Sequence, residues 1–427
     1  TYIMTTITDN AKDIFKKATE DEAQRKIEKP PKIPLDLVMQ LVEKYFGIVV
    51  IENSVKEIES YDDRNYYIKG YSQGSSYTTT TTTTTTTMTT TTNTNENNNV
   101  TKYLFKIHNG VESKREEQID AQNSIMAYLK SKNIQCPLPQ LNVGGSTIAY
   151  VDLPVANPSD DVDNNKTQKI TRKHAIRLLS WVEGETLNSS NVTLLKLISV
   201  GEYLGKLKES LSEFDHKGAH RIHLWDTKLT NLIKPYIETI DEENVKEAVA
   251  SVVLEFENNI LPNMDQFRKG ILQGDFNDAN VIMLDKESNV INGVIDFGDM
   301  VYSNVVNDLS ICMAYMMLKP PTNSTPLIAA CAVLTGFSKV FKLNQVERSS
   351  LRLLIACRLA TSVTLGAFSI SQDPSNEYLK LHAKPGREGL LSFWNMEVER
   401  VEREFDNAIK AAEREYNNAK YLSNLFS

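Results

Sequence analysis

The sequence predicts an α+β chain of two lobes. The first is a five-stranded antiparallel sheet with one helix; the second is larger and mostly helical. Three observations predict this. Short alternating apolar runs, bounded by polar turns, fill the chain up to Gly184. After Gly184 the apolar residues recur at helical spacing over long stretches. Within that helical region one stretch, Leu272–Met300, reads as strand, turn and strand, with an acidic loop at either end.

The elements follow in order. Residues 1–34 are polar and charged, close on Lys29-Pro30-Pro31-Lys32, and read as a loose segment with some helix. Residues 35–183 form the first lobe. Leu35, Val38, Leu41 and Tyr45 are spaced for a helix over Leu35–Phe46. Strands are expected at Ile48–Ile51, Asn65–Ile68, Lys102–His108, Thr147–Leu153 and Ile170–Val182, and a helix at Glu116–Lys130 after the third. Thr78–Thr92 is threonine except for Met88, and Asn93–Asn99 is Asn-rich. Such a tract has nothing to bury in a core, so residues 78–99 read as a disordered insert in a hairpin turn. Pro158–Gln168 reads as a second polar insert. Residues 184–427 form the second lobe. Its helices are expected at Asn191–Glu213, Thr227–Ile240, Glu243–Asn259, Asp308–Leu318, Pro326–Phe341, Gln345–Ala367 and Phe393–Phe426.

The chemistry concentrates in LQGDFNDANVIMLDKESNVINGVIDFGDM, residues 272–300. Asn280 follows Asp275 by five residues, and Asp296-Phe297-Gly298 begins twenty-one residues after Asp275. Any one of these residues alone reads equally well as a turn or cap residue. The ordered set, with an apolar hairpin between, is what phosphoryl transfer on the kinase plan needs. One carboxylate takes the proton of an acceptor hydroxyl, while an Asn and a second carboxylate hold magnesium against the triphosphate. Lys106, on the third strand, would on its own be a solvated strand lysine. With acids at Glu116, Glu117 and Asp120 on the following helix, it also fits a phosphate-binding lysine held by a helix acid. The loop Ser60–Asn65 has no glycine, so it is an ordinary polar turn or a phosphate cover that uses Ser and Asn donors.

Of the 427 residues, 41% are hydrophobic and 24% charged, a globular profile with core enough for two or three domains. The net charge of −8, without a dense Lys/Arg block, argues against nucleic acid or an anionic membrane as partner. The apolar runs around Leu309–Leu318 and Leu327–Leu334 are too short to span a bilayer, and no signal core is present. Cys136, Cys312, Cys331 and Cys357 show neither metal nor disulfide spacing, which suits buried thiols in a reducing, cytoplasmic setting. Between Phe297 and the helix near Asp308 there is no long segment to seat a protein substrate, which favours a small acceptor.

These residues resemble the aminoglycoside phosphotransferase and choline kinase superfamily, which shares the protein-kinase-like fold; within it the chain looks most like the hydroxylysine kinases. The resemblance covers residues 35–400 and rests on SYDDRNYYI (60–68), YLFKIHN (103–109), DAQNSIMAYL (120–129), RLLSWVEGETL (177–187), FDHKGAHRIHLWD (214–226), QGDFNDAN (273–280), GVIDFGDMVYS (293–303) and SQDPSNEYL (371–379). It implies Asp275 as the base, Asn280 and Asp296 as Mg2+ ligands, Lys106 as the phosphate-binding lysine and Asp120 as its helix partner. It implies a nucleotide-base contact by the backbone near Trp181 and Val182. Two positions depart from the family. Gln273 stands where it commonly has His, and Asp120 is a methylene shorter than the usual Glu.

The reaction implied is transfer of the γ-phosphoryl of GTP, or ATP, to the hydroxyl of 5-hydroxylysine. On the acceptor side Asp299 is a candidate for the ammonium and Arg358 for the carboxylate in a two-pronged contact, with an exposed or salt-bridged structural arginine as the alternative reading of Arg358. The rival acceptors are choline, ethanolamine or an aminoglycoside, each a hydroxyl-bearing amine. A rival of another class is a catalytically inactive pseudokinase that binds a partner; Lys106, Asp275, Asn280 and Asp296 are all intact, which argues against it.

Overall fold

The computed structural model describes residues 2–72, 100–155, 170–372 and 377–425. The Thr/Asn-rich tract at 78–99, the polar insert Pro158–Gln168 and residues 373–376 of the SQDPSNEYL segment lie outside the described residues. The chain divides into two compact units. One comprises Asp21–Asn123 and Pro137–Trp181; the other comprises Thr1–Glu20, Ser124–Cys136 and Val182–Ser427. The N-terminal segment read as loose is helical over α1 (Tyr2–Ile27).

The first unit is built on an antiparallel sheet of β1 (Ile48–Val50), β2 (Lys56–Ile58), β3 (Arg64–Ser72), β4 (Thr101–Ile107), β5 (Ala149–Pro154) and β6 (Thr171–Ser180). Its order is β1-β3-β4-β6-β5, with β2 paired on β3. The five expected strands are present. The sixth, β2, is a Lys-Glu-Ile triplet with two exposed residues, too short and polar to show a period. One face of the sheet packs Ile68, Phe105, Ile107 and Leu178, all fully buried, against α2 (Leu35–Phe46). Burial of each such side chain stabilises the fold by about 1.5–3 kcal/mol. The buried stripe of α2 is Val38, Leu41, Val42 and Phe46, while Leu35 at its start is exposed. The short α3 (Gly110–Ser113) and α4 (Glu116–Ser131) follow β4.

The second unit holds α5 (Leu194–Ser210), α6 (Glu243–Glu255), α7 (Val306–Leu318), α8 (Pro326–Val340), α9 (Gln345–Gln372), α10 (Glu377–Trp394) and α11 (Val398–Leu425). The helix expected at Thr227–Ile240 is 3-10 helix over Thr227–Thr239, broken at Leu229, with Pro235 inside. The helix expected at Phe393–Phe426 is α11, and α10, which ends at Trp394, is an additional helix. Helices α5 and α8 cross at glycines. A Cβ on Gly201 would strike the Val333 carbonyl, and one on Gly336 the Ile198 carbonyl, so the two backbones meet directly. By length and composition α9 could cross a membrane, but here most of its residues are buried in the core of the unit. Among the described residues all four cysteines are unpaired, and burial pushes the Cys136 and Cys331 thiols up to about 12.

Two small ladders position the acidic stretch. β8 (Lys269–Leu272) pairs with β11 (Val301–Asn304), and β9 (Val281–Met283) pairs with β10 (Ile291–Val294), which brings β7 (Glu185–Thr186) onto its other edge. The loop between β8 and β9 and the turn between β10 and β11 are therefore neighbours. The contact is direct: Ile295 N–H donates to the Asn280 carbonyl at 2.9 Å.

Candidate active site

The loop after β8 is set by Gly274 and by a carboxylate beneath it. Gly274 has φ +90, and a Cβ there would strike the Asp299 carbonyl, so glycine alone fits at this crossing of the two segments. Asp308, in the first turn of α7, accepts the Gln273 N–H at 3.0 Å and the Gly274 N–H at 2.9 Å. Its charge is met by Lys208, which also donates to the Ile271 carbonyl at 3.1 Å; both side chains are buried. Neither residue was singled out in the sequence. The signal present was one carboxylate at the head of an otherwise apolar helix.

Gln273, in the place where the family commonly has His, bridges the two loops. Its Nε2 donates to the carbonyls of Ile295 and Asp296, and its Oε1 accepts the Asp275 N–H at 2.8 Å. The amide thus supplies a donor and an acceptor at once to the two loops.

Asp275 is the centre of the network. Its Oδ2 accepts Asn277 Nδ2 at 2.7 Å and Asn280 Nδ2 at 3.0 Å; its Oδ1 accepts Arg358 Nη2 at 3.0 Å. Burial raises its pKa to about 7. The Arg358 charge lowers it, and Asp299 and Asp296 add to the rise. A carboxylate poised near neutral pH is suited to take a hydroxyl proton. Asn277, which the sequence left without a role, also accepts the Ala279 and Asn280 N–H groups on its Oδ1, closing the turn.

Asn280 directs its NH2 to the carbonyl and carboxylate of Asp275, and its Oδ1 takes no part in those bonds. Asp296 has φ +57, a left-handed conformation that Asp tolerates, and its Oδ1 accepts the Gly298 N–H at 3.0 Å. An amide oxygen and a carboxylate on adjoining segments are the hard oxygen donors that magnesium prefers, so these residues fit the expected ion.

Asp299 lies 3.1 Å from His223 Nε2. Against the cost of burial, His223 and then Arg221 and Arg358 hold its carboxyl well below the usual range, so it is ionised. Arg221 donates to the Met300 carbonyl at 3.0 Å and to the Gly298 carbonyl, clasping the turn that carries Asp296.

Arg358 is where the structure corrects the sequence. As a candidate it would offer a two-pronged contact to an acceptor carboxylate; the alternative reading, a salt-bridged structural arginine, is the one observed. It is 2% exposed, with Nη1 on the Trp225 carbonyl at 2.9 Å and Nη2 on Asp275 and on Tyr315 Oη at 3.1 Å. Its guanidinium lies against the Trp225 and Tyr315 rings. Both terminal nitrogens are engaged by the protein, Nε has no hydrogen-bond partner among the described residues, and the charge faces the base.

The first unit carries the candidate nucleotide residues. Lys106 Nζ lies 2.8 Å from Asp63 Oδ2. The expected helix partner, Asp120, is exposed, as is Glu117. The reason is the rotation of α4: Gln122 and Asn123 are the buried residues that bond Arg177 on β6, at 2.7 Å each. Asn65 stands opposite Lys106 across the β3–β4 ladder, with a buried Oδ1 that has no hydrogen-bond partner. Such an oxygen would welcome a ligand donor. The Ser60 carbonyl accepts Lys29 Nζ at 2.8 Å. The Trp181 N–H is already bonded to the Lys102 carbonyl at 3.1 Å, and Val182 is buried.

Residues 85–330, more than half of the chain, match the phosphotransferase enzyme family known as APH. The chain belongs to that family. It is similar to the hydroxylysine kinase of Xenopus laevis, at 28% identity over 386 residues covering 87% of this chain and 93% of the relative. It is also similar to that of Mus musculus, at 26% identity covering 88% and 93%. Among solved structures, an amicoumacin kinase bound to AMP-PNP, Ca2+ and Ami has a TM-score of 0.58 at 13% identity, covering 88% of this chain and 96% of that one. A microcompartment-associated aminopropanol kinase has a TM-score of 0.56 at 13% identity, covering 88% and 99%. The fold is thus the protein-kinase-like fold of the APH phosphotransferases. This APH member is a small-molecule kinase, a phosphotransferase with a hydroxyl group as acceptor.

Proposed function

We propose that the chain transfers the γ-phosphoryl of GTP, or of ATP, to the hydroxyl of 5-hydroxylysine. The acceptor is supported by the similarity to curated hydroxylysine kinases, which extends over nearly the full length of both chains. The environment of Asp275 carries the chemistry: a carboxylate raised to about 7, oriented on both oxygens, beside an Asn and a second Asp on the adjoining turn.

In this reading Asp275 takes the proton of the acceptor hydroxyl as the hydroxyl oxygen attacks the γ-phosphorus; the bond from that phosphorus to the β–γ bridging oxygen breaks and the nucleoside diphosphate leaves. Asn280 Oδ1 and Asp296 would hold Mg2+, which when bound neutralises the triphosphate charge. Lys106 donates to phosphate oxygens, and Asn65 is available to a donor of the nucleotide. Asp299, already ionised, is the anion offered to the acceptor ammonium. The unpaired cysteines support a cytoplasmic setting.

One observation favours a second reading. With Arg358 engaged by Asp275, the acceptor carboxylate loses the partner first considered for it, which suits an amino alcohol such as ethanolamine. Phosphorus NMR of the product tests both readings. A phosphate ester formed from 5-hydroxylysine, with lysine inert, supports the first. An ester formed only from ethanolamine or choline supports the second.

A further inference from the structure

The acid that holds the candidate phosphate-binding lysine lies where the fold family would not place it. Asp63 belongs to the loop between β2 and β3, not to a helix, and it is 3% exposed. Its two oxygens are divided between two tasks. Oδ1 accepts the Asn109 N–H at 2.7 Å and Asn109 Nδ2 at 3.0 Å, which fixes the carboxylate to the end of β4. Oδ2 faces Lys106 Nζ at 2.8 Å. Lys29 reaches from outside the sheet to the carbonyls of Ser60 and Tyr61, at 2.8 and 3.0 Å, so the loop leading to Asp63 is also tied down.

Around this pair lies a buried network with a readable proton arrangement. Arg177 Nε donates to His108 Nε2 at 2.9 Å, so that nitrogen carries no proton. His108 Nδ1 therefore holds the hydrogen and donates it to Glu112 Oε2 at 2.9 Å. Burial, then the Arg177 charge, lowers the His108 pKa, consistent with a neutral ring. Arg25 stands 3.5 Å from the other Glu112 oxygen. Asp63, His108 and Glu112 are close enough together to suggest a metal site. The protonated Nδ1 removes the nitrogen ligand, and Lys106 and Arg25 already balance the two carboxylates. The cluster is a support for Lys106, with Arg177 as a further cation and Asp62, 3.8 Å from Arg25, as a further acid beside it.

We propose that Asp63 is the positioning residue for Lys106, doing from the loop what the fold family assigns to a helix acid. An ammonium has three donors. One faces Asp63, and a contact through one donor does not by itself use up the ammonium. Without the carboxylate, an ammonium on a flexible stem has no fixed place. The inference rests on the reading of Lys106 as the phosphate-binding lysine.

A double-mutant cycle on the full chain tests it, using Asp63→Asn and Lys106→Met and reading KM for the nucleotide, KM for the acceptor and kcat. Asn keeps the acceptor oxygen for Asn109 and removes only the charge. Asp63→Asn should lower kcat/KM for the nucleotide on the order of 10- to 100-fold, the size of a lost charged hydrogen bond. KM for the acceptor should move less than about twofold, and Asp63→Asn should add almost nothing on top of Lys106→Met, as coupled residues behave. A purely structural Asp63 would instead disturb both KM values and add fully to the lysine variant, overturning the proposal. If Asp63→Asn does not fold, the same cycle is run with Asp63→Glu, which keeps the charge but moves it by a methylene. Full loss from Lys106→Met with wild-type turnover in the Asp63 variant sinks this inference and leaves the lysine reading intact. Wild-type turnover in Lys106→Met sinks both. Loss in Asp120→Asn without loss in Asp63→Asn returns the role to the helix.

Discussion

Arg358 Nη2 and Asp275 Oδ1 are 3.0 Å apart, in a site where the arginine is almost wholly buried and the aspartate pKa is raised to about 7. The arginine is the main charge that opposes this rise. It therefore sets both the direction and the basicity of the carboxylate, with Tyr315 and the Trp225 carbonyl holding it in place. Removing it reaches the acceptor only through Asp275.

Arg358→Met should accordingly lower kcat for every hydroxyl acceptor alike, with or without a carboxylate. The acidic limb of the pH–rate profile should move to higher pH, because the group that favours the ionised base has gone. A rise in KM confined to carboxylate-bearing acceptors, with an unmoved pH limb, would show that Arg358 binds substrate after all.

Asp275→Asn should reduce kcat by about 10²–10⁴ while nucleotide affinity is nearly kept. The amide oxygen still accepts from Asn277 and Asn280, but the buried Arg358 loses its counter-charge, so kcat is read beside the urea midpoint of the variant. Near-normal turnover in the folded variant would remove Asp275 from the role of base.

Asp296→Ala should abolish the magnesium dependence of nucleotide binding, measured by titration calorimetry with and without the ion. Asn280→Ala should weaken it less, since a carboxylate contributes charge as well as an oxygen. Unchanged affinity and unchanged ion dependence in both would refute the assignment.

Asp308→Asn leaves Lys208 buried without its counter-charge and weakens the clamp on the Gln273 and Gly274 amides. Breaking one side of a buried pair costs about 3–5 kcal/mol. A lower urea midpoint together with lower kcat is expected; a stable, fully active variant would show that the loop holds itself.

Much of this was legible in residues 272–300. A hairpin needs only alternating apolar runs and a polar turn, and the acids announce themselves by spacing. The supports were not legible, because they come from far along the chain. Asp308 and Lys208 are brought together by packing between α5 and α7, and Arg358 reaches Asp275 from the middle of α9. Asp63 was visible only as one of two acids in a polar turn. That it meets Lys106 is a contact between a loop and a strand, and the stripe of α4 that bonds β6 is made by Gln122 and Asn123, polar residues that no hydrophobic period marks. In β2 and the broken 3-10 segment the local pattern was too short, or interrupted by Pro235.

The most direct test is the ratio of kcat/KM values for 5-hydroxylysine, ethanolamine and choline, measured with GTP and with ATP and with Asp275→Asn as the blank. The proposed function predicts that 5-hydroxylysine is the best acceptor, that phosphate appears on its hydroxyl, and that the signal vanishes in the variant. A clear preference for ethanolamine or choline would contradict the acceptor, and equal turnover in Asp275→Asn would contradict the mechanism.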